Sequence, residues 1–338
     1  MEQQAQPEPS PEPSPEPSQS PEPSESPDPD GSASPEPSPS PEPSPEPEVD
    51  PWEEFYSIFG YIPTEGQVGA NPYLPEGFQI LPSGQGSSYM TYAYGPYTVG
   101  IDVSSHQEEV DWQAVAASGV QFAMIRAGYR GYTEGGIFQD EYFVQNMEGA
   151  IAAGLEVGVY FFSQAVDEQE AVEEARQVLE WITPYDVAWP VVFDWERVSQ
   201  ENSRTLDTSG DAITNATIAF CREVEEAGYL PMVYFSPSKG YTELELERLL
   251  DWPFWLAHYT EDWSATSFRY HFAMWQYTSS GTVDGISTNV DLNLCLTDFE
   301  EWRTDPEGEG SVPPERENSA SPERENSSRP DPSPEASR

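Results

Sequence analysis

The segment Val191-Val192-Phe193-Asp194-Trp195-Glu196 is an apolar run that closes on two carboxylates one residue apart. β-Branched and aromatic residues following Trp189-Pro190 predict a strand covered on both faces, as in parallel sheets flanked by helices. Side chains alternate along a strand, so Asp194 and Glu196 share a face and stand ~7 Å apart along the backbone. At that separation one carboxyl can hold its proton while the other stays ionised, the division of labour needed for acid/base work on a glycosidic bond. The same pair fits equally well as two solvated acids at a strand end. Further acids arriving at the same place would separate the two readings.

The elements around the pair repeat one device. Helix-like segments close on Gly119, Gly154 and Gly228, and each glycine is followed by a strand-like run, at 122–126, 157–162 and 232–235. Glycine at the position just past a helix accepts the left-handed conformation that turns the chain back. Apolar stripes with spacings of three and four predict helices packed on a sheet: Phe143, Met147, Ala150 and Ile151; Ala171, Ala175, Leu179 and Ile182; Ile213, Phe220, Val224 and Ala227. Asp167 with Glu170 and Thr208 with Asp211 form expected capping pairs. After Ser236 the rhythm changes to strand-like runs at 254–259, 272–278 and 290–296, with one short helical segment around 244–250. Five β-α units followed by three strands predict an α/β fold, a parallel TIM-like barrel that is irregular in its second half.

Functional residues of such barrels gather at the C-terminal ends of the strands. The first strand supplies Gly100-Ile101-Asp102-Val103-Ser104 and the last Asn289-Val290-Asp291-Leu292-Asn293. Strands one and eight adjoin in a closed barrel, so Asp102 is expected to face Asp291, with Asp194 and Glu196 arriving from strand four. Four acids converging on one mouth form a constellation that isolated strand-end acids do not.

Across about 99–296 the sequence resembles the glycoside hydrolase family 25 lysozymes, the Chalaropsis-type N-acetylmuramidases. The resemblance rests on Gly100-Ile101-Asp102-Val103-Ser104, His106-Gln107, Val110-Asp111-Trp112, Phe122-Ala123-Met124-Ile125-Arg126-Ala127, Gly158-Val159-Tyr160-Phe161, Asp194-Trp195-Glu196, Met274-Trp275-Gln276-Tyr277-Thr278 and Val290-Asp291-Leu292-Asn293. It implies a (β/α)5(β)3 barrel that cleaves the β-1,4 bond between N-acetylmuramic acid and N-acetylglucosamine in peptidoglycan. It also implies Glu196 as the catalytic acid, Asp194 as the carboxylate that orients the 2-acetamido group, and Asp102 and Asp291 as the remaining acidic pair. Tyr160, Tyr234, Tyr259, Trp275 and Gln276 are candidate sugar contacts, with core packing the competing reading for each ring. Arg126, at the expected end of strand two, is a candidate for the muramyl carboxylate or a stem peptide, or else an ion-pair partner of Asp102 or Glu196. His106 is assigned mainly a loop-anchoring role. The sequence departs from the family at Glu108, where a glycine often follows the His-Gln pair. A non-catalytic cell-wall glycan-binding module and a chitinase-like N-acetylglucosaminidase are the alternatives. The second lacks its longer acidic pattern, because Trp189 to Phe193 contain no acid.

Composition narrows the partners. The chain of 338 residues carries a net charge of -47 and a single lysine, Lys239, so the clustered basic footprint of a nucleic-acid binder is missing. A basic membrane-binding face is missing too, and association with an anionic polymer should lack electrostatic steering. Cys221 and Cys295 form neither a disulfide framework nor a metal-ligand spacing, and no metal or other cofactor is expected. Pro-Glu-Pro-Ser repeats over 1–50 predict a disordered spacer with a reach on the order of 150 Å, and the tail 304–338 is read in the same way. Residues 51–97 are expected to hold a short amphipathic helix around Trp52 to Phe59 and otherwise loop, packing as an extension on a catalytic barrel at 98–303. Met1-Glu2-Gln3-Gln4 has neither the basic nor the apolar region of a signal peptide. The expected setting is extracellular or at the cell surface, as a monomer acting on peptidoglycan glycan strands, with any export signal outside this numbering.

Overall fold

Residues 68–83, 87–260 and 264–299 are the described part of the computed structural model. The expected spacer 1–50, the aromatic segment around 52–59 and the tail 304–338 lie outside the described residues. The described chain opens with an antiparallel hairpin of β1 (Phe78–Pro82) and β2 (Ser88–Tyr92). There follow β3 (Thr98–Val103), α1 (Trp112–Ala117), β4 (Phe122–Arg130), the short β5 (Ile137–Gln139), α2 (Phe143–Ala152), β6 (Glu156–Ser163) and α3 (Glu168–Ile182). The chain continues through β7 (Val191–Trp195), α4 (Gly210–Glu226), β8 (Pro231–Phe235), α5 (Pro237–Thr242), β9 (Phe254–Ala257), β10 (Met274–Gly281) and β11 (Val290–Cys295).

Sheet order β3-β11-β10-β9-β8-β7-β6-β4, closed by pairing of β3 with β4, makes an eight-stranded barrel, and β5 extends it by pairing antiparallel with the end of β4. Period two sorts the side chains into two interiors. Phe122, Met124, Val192, Met232, Trp255 and Met274 fill the barrel, while alternate residues such as Ile125, Val159, Phe161 and Phe193 pack outward under the helices. On α3, Ala171, Ala175, Val178 and Ile182 are fully buried, and each of the larger two contributes roughly 1.5–3 kcal/mol. The junction glycines Gly119, Gly154 and Gly228 all have positive φ, as a left-handed helix exit requires.

Three expectations need correction. The barrel is not wholly parallel, because β11 runs antiparallel to both β10 and β3. Asp291 therefore stands near the start of its strand, and it reaches the shared mouth because that strand is reversed. The cap of α4 is Ser209, whose Oγ accepts from the Ala212 amide at 3.2 Å, one residue past Thr208; Asp167 caps α3 by accepting from Glu170 at 3.0 Å. The helical segment expected around 244–250 is only a 3-10 turn, Leu246–Arg248, and the helix proper is α5, with Pro237 in its first turn.

The described residues before 98 hold the β1–β2 hairpin where loop was expected. Tyr89, Met90 and Tyr92 are buried, and Phe78 packs edge-on against Trp275 at 5.3 Å. Cys221 and Cys295 are both free and buried. Among the described residues, no helix is long and apolar enough to cross a membrane.

Hydrogen bonds tie down the loop after β3. Ser104 Oγ accepts from the His106 amide, Gln107 Oε1 accepts from the Ser104 amide at 2.9 Å, and Gln107 Nε2 donates to the Asn289 carbonyl at 3.1 Å. His106 takes part in this anchoring through its backbone amide, beside Ser104 and Gln107. Glu108 leaves this turn at φ 55 and ψ -134, a conformation that costs a residue bearing a Cβ on the order of 1–3 kcal/mol. Glu108→Gly should accordingly raise unfolding stability by about 1 kcal/mol, after the extra entropy of glycine in the unfolded chain is set against the relieved strain. A denaturant midpoint equal to or below that of the parent would contradict this.

Candidate active site

At the mouth where the parallel strands end, a pocket of about 210 Å³ is lined by Asp102, Asp194, Glu196 and Asp291 together with Arg126, Tyr160, Phe162, Tyr234, Trp255, Tyr259 and Gln276. All four acids singled out in the sequence meet there. A second cavity, of about 290 Å³, opens at the opposite end of the barrel and contains none of these acids.

Asp102 and Asp291 are directly opposed across the β3–β11 ladder. Asp102 is buried, and its Oδ2 accepts from Gln276 Nε2 and from Asn293 Nδ2, both at 2.8 Å. Burial pushes the Asp102 pKa up, while the amides of Asn293 and Gln276 and a hydrogen bond from Asp291 oppose the rise. Asp291 is pushed up to about 9, first by burial and then by the charge of Asp102. The two carboxyls therefore hold one proton between them, carried by Asp291 and donated to Asp102, because two adjacent charges in so dry a place cannot both ionise.

Gln276 joins this pair to the tyrosines. Its Oε1 accepts from Tyr234 Oη at 2.9 Å and from Tyr259 Oη at 2.7 Å, while its Nε2 donates to Asp102. Burial holds both phenols far above their ordinary pKa, so they remain neutral donors. Trp255 closes the network from the other side: its Nε1 donates to Asn293 Oδ1 at 2.9 Å, and Tyr234 packs edge-on against its ring at 5.0 Å. Tyr160 also packs edge-on against Trp255, at 6.2 Å.

Asp194 is buried at the end of β7, and Glu196 follows just beyond the strand, half-buried. Asp194 Oδ1 is buried with no hydrogen-bond partner. Burial pushes the Asp194 pKa well up and the charge of Glu196 adds to the rise, whereas Lys239 opposes it. Lys239 Nζ donates to the Trp195 carbonyl at 3.1 Å and lies 4.9 Å from the centre of the Trp195 ring, so the chain's one lysine is fixed beside both carboxyls. Its own pKa is lowered by burial and supported by Glu196 and Asp194.

Two candidates differ from expectation, Trp275 in its place and Arg126 in its partner. Trp275 is fully buried and faces away from the pocket: its Nε1 donates to the His258 carbonyl at 2.9 Å and its ring packs on the β1–β2 hairpin. Trp255, one strand away, is the tryptophan at the mouth. Arg126 lines the pocket but lies in mid-strand, and its partner is Asp140, at 2.7 Å, not Asp102 or Glu196; its Nη2 also donates to Ser105 Oγ at 2.9 Å. The sequence pattern does not single out Trp255, Asn293, Asp140 or Phe162 as site residues, and it marks Lys239 only by its rarity. Period two from Gln276 and Asp291 would have found Asn293 and excluded Trp275.

The shared proton has a measurable consequence. The folded protein keeps the Asp291 proton up to about pH 9, whereas an ordinary aspartate releases it near 3.8, so unfolding releases a proton across that interval. Stability from this group is complete below the ordinary value and falls as pH rises toward the folded one. Asp291→Asn removes that titration, so its melting temperature should fall less steeply than that of the parent between about pH 5 and about pH 9. An unchanged slope would mean that Asp291 is already ionised in the fold.

Comparison with known proteins agrees with this architecture. The sequence model described as Glycosyl hydrolases family 25 matches residues 101–286. An uncharacterized protein, YegX, of Escherichia coli O157:H7 is 30% identical over 237 residues, covering 67% of this chain and 80% of that protein. The autolytic lysozyme of Clostridium acetobutylicum is 29% identical over 194 residues, 57% of this chain and 54% of that protein. Among solved structures, the modular autolysin LytC of Streptococcus pneumoniae shares the fold with a TM-score of 0.52 at 24% identity, over 64% of this chain and 51% of that one. This chain thus spans only about half the length of that autolysin. With the family's sequence pattern running over more than half of the chain and spanning Asp102, Asp194 and Glu196, the chain belongs to glycosyl hydrolase family 25.

Proposed function

We propose that this mouth hydrolyses the β-1,4 bond between N-acetylmuramic acid and N-acetylglucosamine in peptidoglycan, outside the cell or at its surface. The observation that carries the reading is Asp194 Oδ1, a buried carboxylate oxygen with no partner, beside Glu196 in an open pocket. A buried acceptor without a donor is costly, and the 2-acetamido N–H of an N-acetylated sugar is the donor it lacks. Membership of a glycoside hydrolase family and likeness to an autolytic lysozyme support the same substrate class. So does the fold shared, at a TM-score of 0.51 and 24% identity, with the LytC autolysin solved in complex with a synthetic peptidoglycan ligand.

Asp194 is driven toward its neutral form in the free protein, and Glu196 is the charged group most strongly coupled to it. Accepting the acetamido N–H stabilises the ionised form of Asp194, so the proton held by the pair becomes available to Glu196. Glu196 then gives that proton to the leaving glycosidic oxygen as the bond to the anomeric carbon breaks. The acetamido carbonyl oxygen, aligned by Asp194, bonds to the anomeric carbon in its place, a recognised alternative to a carboxylate nucleophile. Water then attacks the same carbon as its bond to the acetamido oxygen breaks, restoring the acetamido group, and the water's proton passes to Glu196, so the pair of carboxyls again holds one proton. Lys239 limits the charge built up on the two acids, and the Gln276 network holds Tyr234 and Tyr259 at the rim. In this reading the catalytic barrel occupies 98–303, and the Pro-Glu-Pro-Ser segment 1–50 serves as a spacer.

The test is hydrolysis of purified peptidoglycan by the parent and by Glu196→Gln, with new reducing ends identified by mass spectrometry. Muramic acid reducing ends are expected from the parent, with a loss on the order of 10²–10⁴-fold in the variant. Equal release by both forms would remove Glu196 from its role. Release by neither would mark the barrel as a glycan-binding module.

A further inference from the structure

Beyond the pocket, the end of β4 projects past the barrel and carries an aromatic row. A bulge at Ala127 shifts the pairing with β6, from Arg126 opposite Tyr160 to Gly128 opposite Phe161 and Tyr129 opposite Phe162. The extra residue lets Arg126 and Tyr129, three apart in sequence, both face the mouth. Gly128 points the other way, and a Cβ there would lie 2.3 Å from the Phe138 carbonyl oxygen and 2.6 Å from the Trp181 ring, so only glycine lets β5 close on β4. Register then runs across four strands: Phe138 opposite Tyr129, Tyr129 opposite Phe162, and Phe162 opposite Asp194. Opposed residues share a face, with strands ~4.8 Å apart, so three rings lead in line from the rim to the unpartnered carboxyl.

The Tyr129 and Phe138 rings lie 5.5 Å apart with planes inclined by 31°. Phe138 is 52% exposed, whereas Phe162 lines the pocket, so the row is continuous with the site. The hairpin that presents it is held firmly. Gly131 donates to the Gly136 carbonyl at 2.8 Å, Arg130 Nη1 donates to the Gly135 carbonyl at 2.9 Å, and Arg130 pairs with buried Glu174 at 2.6 Å. An exposed phenylalanine alone needs no explanation. Alignment of three rings with the catalytic carboxyl on a braced hairpin does.

We propose that Phe138, Tyr129 and Phe162 form a sugar-stacking subsite that holds N-acetylhexosamine residues of the glycan strand beyond the scissile bond. The proposal rests on the glycan-cleaving reading of the mouth and extends it along one side of the cleft. Pyranose rings present apolar C–H faces to flat aromatic surfaces while their hydroxyls stay in water, so neutral rings can hold the strand. That suits a chain with a single lysine and a net charge of -47, which cannot grip an anionic polymer by charge.

Binding is measured by calorimetry in the Glu196→Gln background, so that peptide-free strands alternating N-acetylglucosamine and N-acetylmuramic acid are not consumed. Phe138→Ala should weaken binding of long strands about five-fold without lowering the melting temperature, and Phe138→Trp should restore it. Unchanged affinity in Phe138→Ala, absence of strand binding altogether, or failure of tryptophan to rescue would each overturn the subsite. Hydrolysis by the chain with Glu196 intact reports the catalytic reading separately. Cleavage with no effect at Phe138 refutes the subsite alone.

Discussion

Gln276 is bonded in both directions at the buried acidic seam of the barrel. Its amide nitrogen donates to Asp102 and its oxygen accepts from Tyr234 and Tyr259, so a single planar group sets the spacing between the acidic seam and the tyrosine rim. Asn293 does the same from the other side, receiving Trp255 and donating to Asp102. Such a network is tolerable in a low dielectric because its donors and acceptors are matched, and because Asp291 keeps the proton that would otherwise leave two charges side by side. With the seam matched in this way, Asp194 Oδ1 is, among the described residues that line the pocket, the buried oxygen left without a partner.

The barrel closes so that this can happen. Seven strands could deliver acids from their C-terminal ends, but Asp102 needs an opposite number on the adjoining strand. Reversal of β11 supplies one by bringing Asp291 to the mouth from the start of its strand. The bulge at Ala127 makes a comparable adjustment on the other side, re-aiming Tyr129 without moving Arg126 off its partner Asp140. Departures from regular pairing thus cluster where side chains must be placed, and the regular β-α units carry the packing.

Much of this was legible from local pattern. Glycine-terminated helices announced the β-α units, and the parity of Asp194 and Glu196 placed both acids at one strand end. What escaped was set by contacts distant in sequence. No short run shows whether a strand is parallel, so the direction of β11 was hidden. Trp275 and Gln276 were both assigned to the site although adjacent strand residues face opposite ways, and the hairpin carrying Phe78 decides which one faces out. Asp140 lies 14 residues from Arg126, beyond the β4–β5 hairpin, and nothing in the spacing links them. The cap at Ser209 differs from the expected Thr208 by one residue, which is the scale on which helix starts are chosen among neighbouring hydroxyls.

In the proposed mechanism, Asp194 is a buried acceptor that receives an acetamido N–H from the sugar. Its carboxyl carbon, labelled with carbon-13 and assigned by comparison with Asp194→Asn, can be titrated by NMR in the free protein and with a bound N-acetylglucosamine-containing fragment. The account predicts titration well above the ordinary aspartate range in the free protein, and a marked fall when the fragment binds. An ordinary aspartate titration in the free protein, or one that the fragment leaves unmoved, would contradict it.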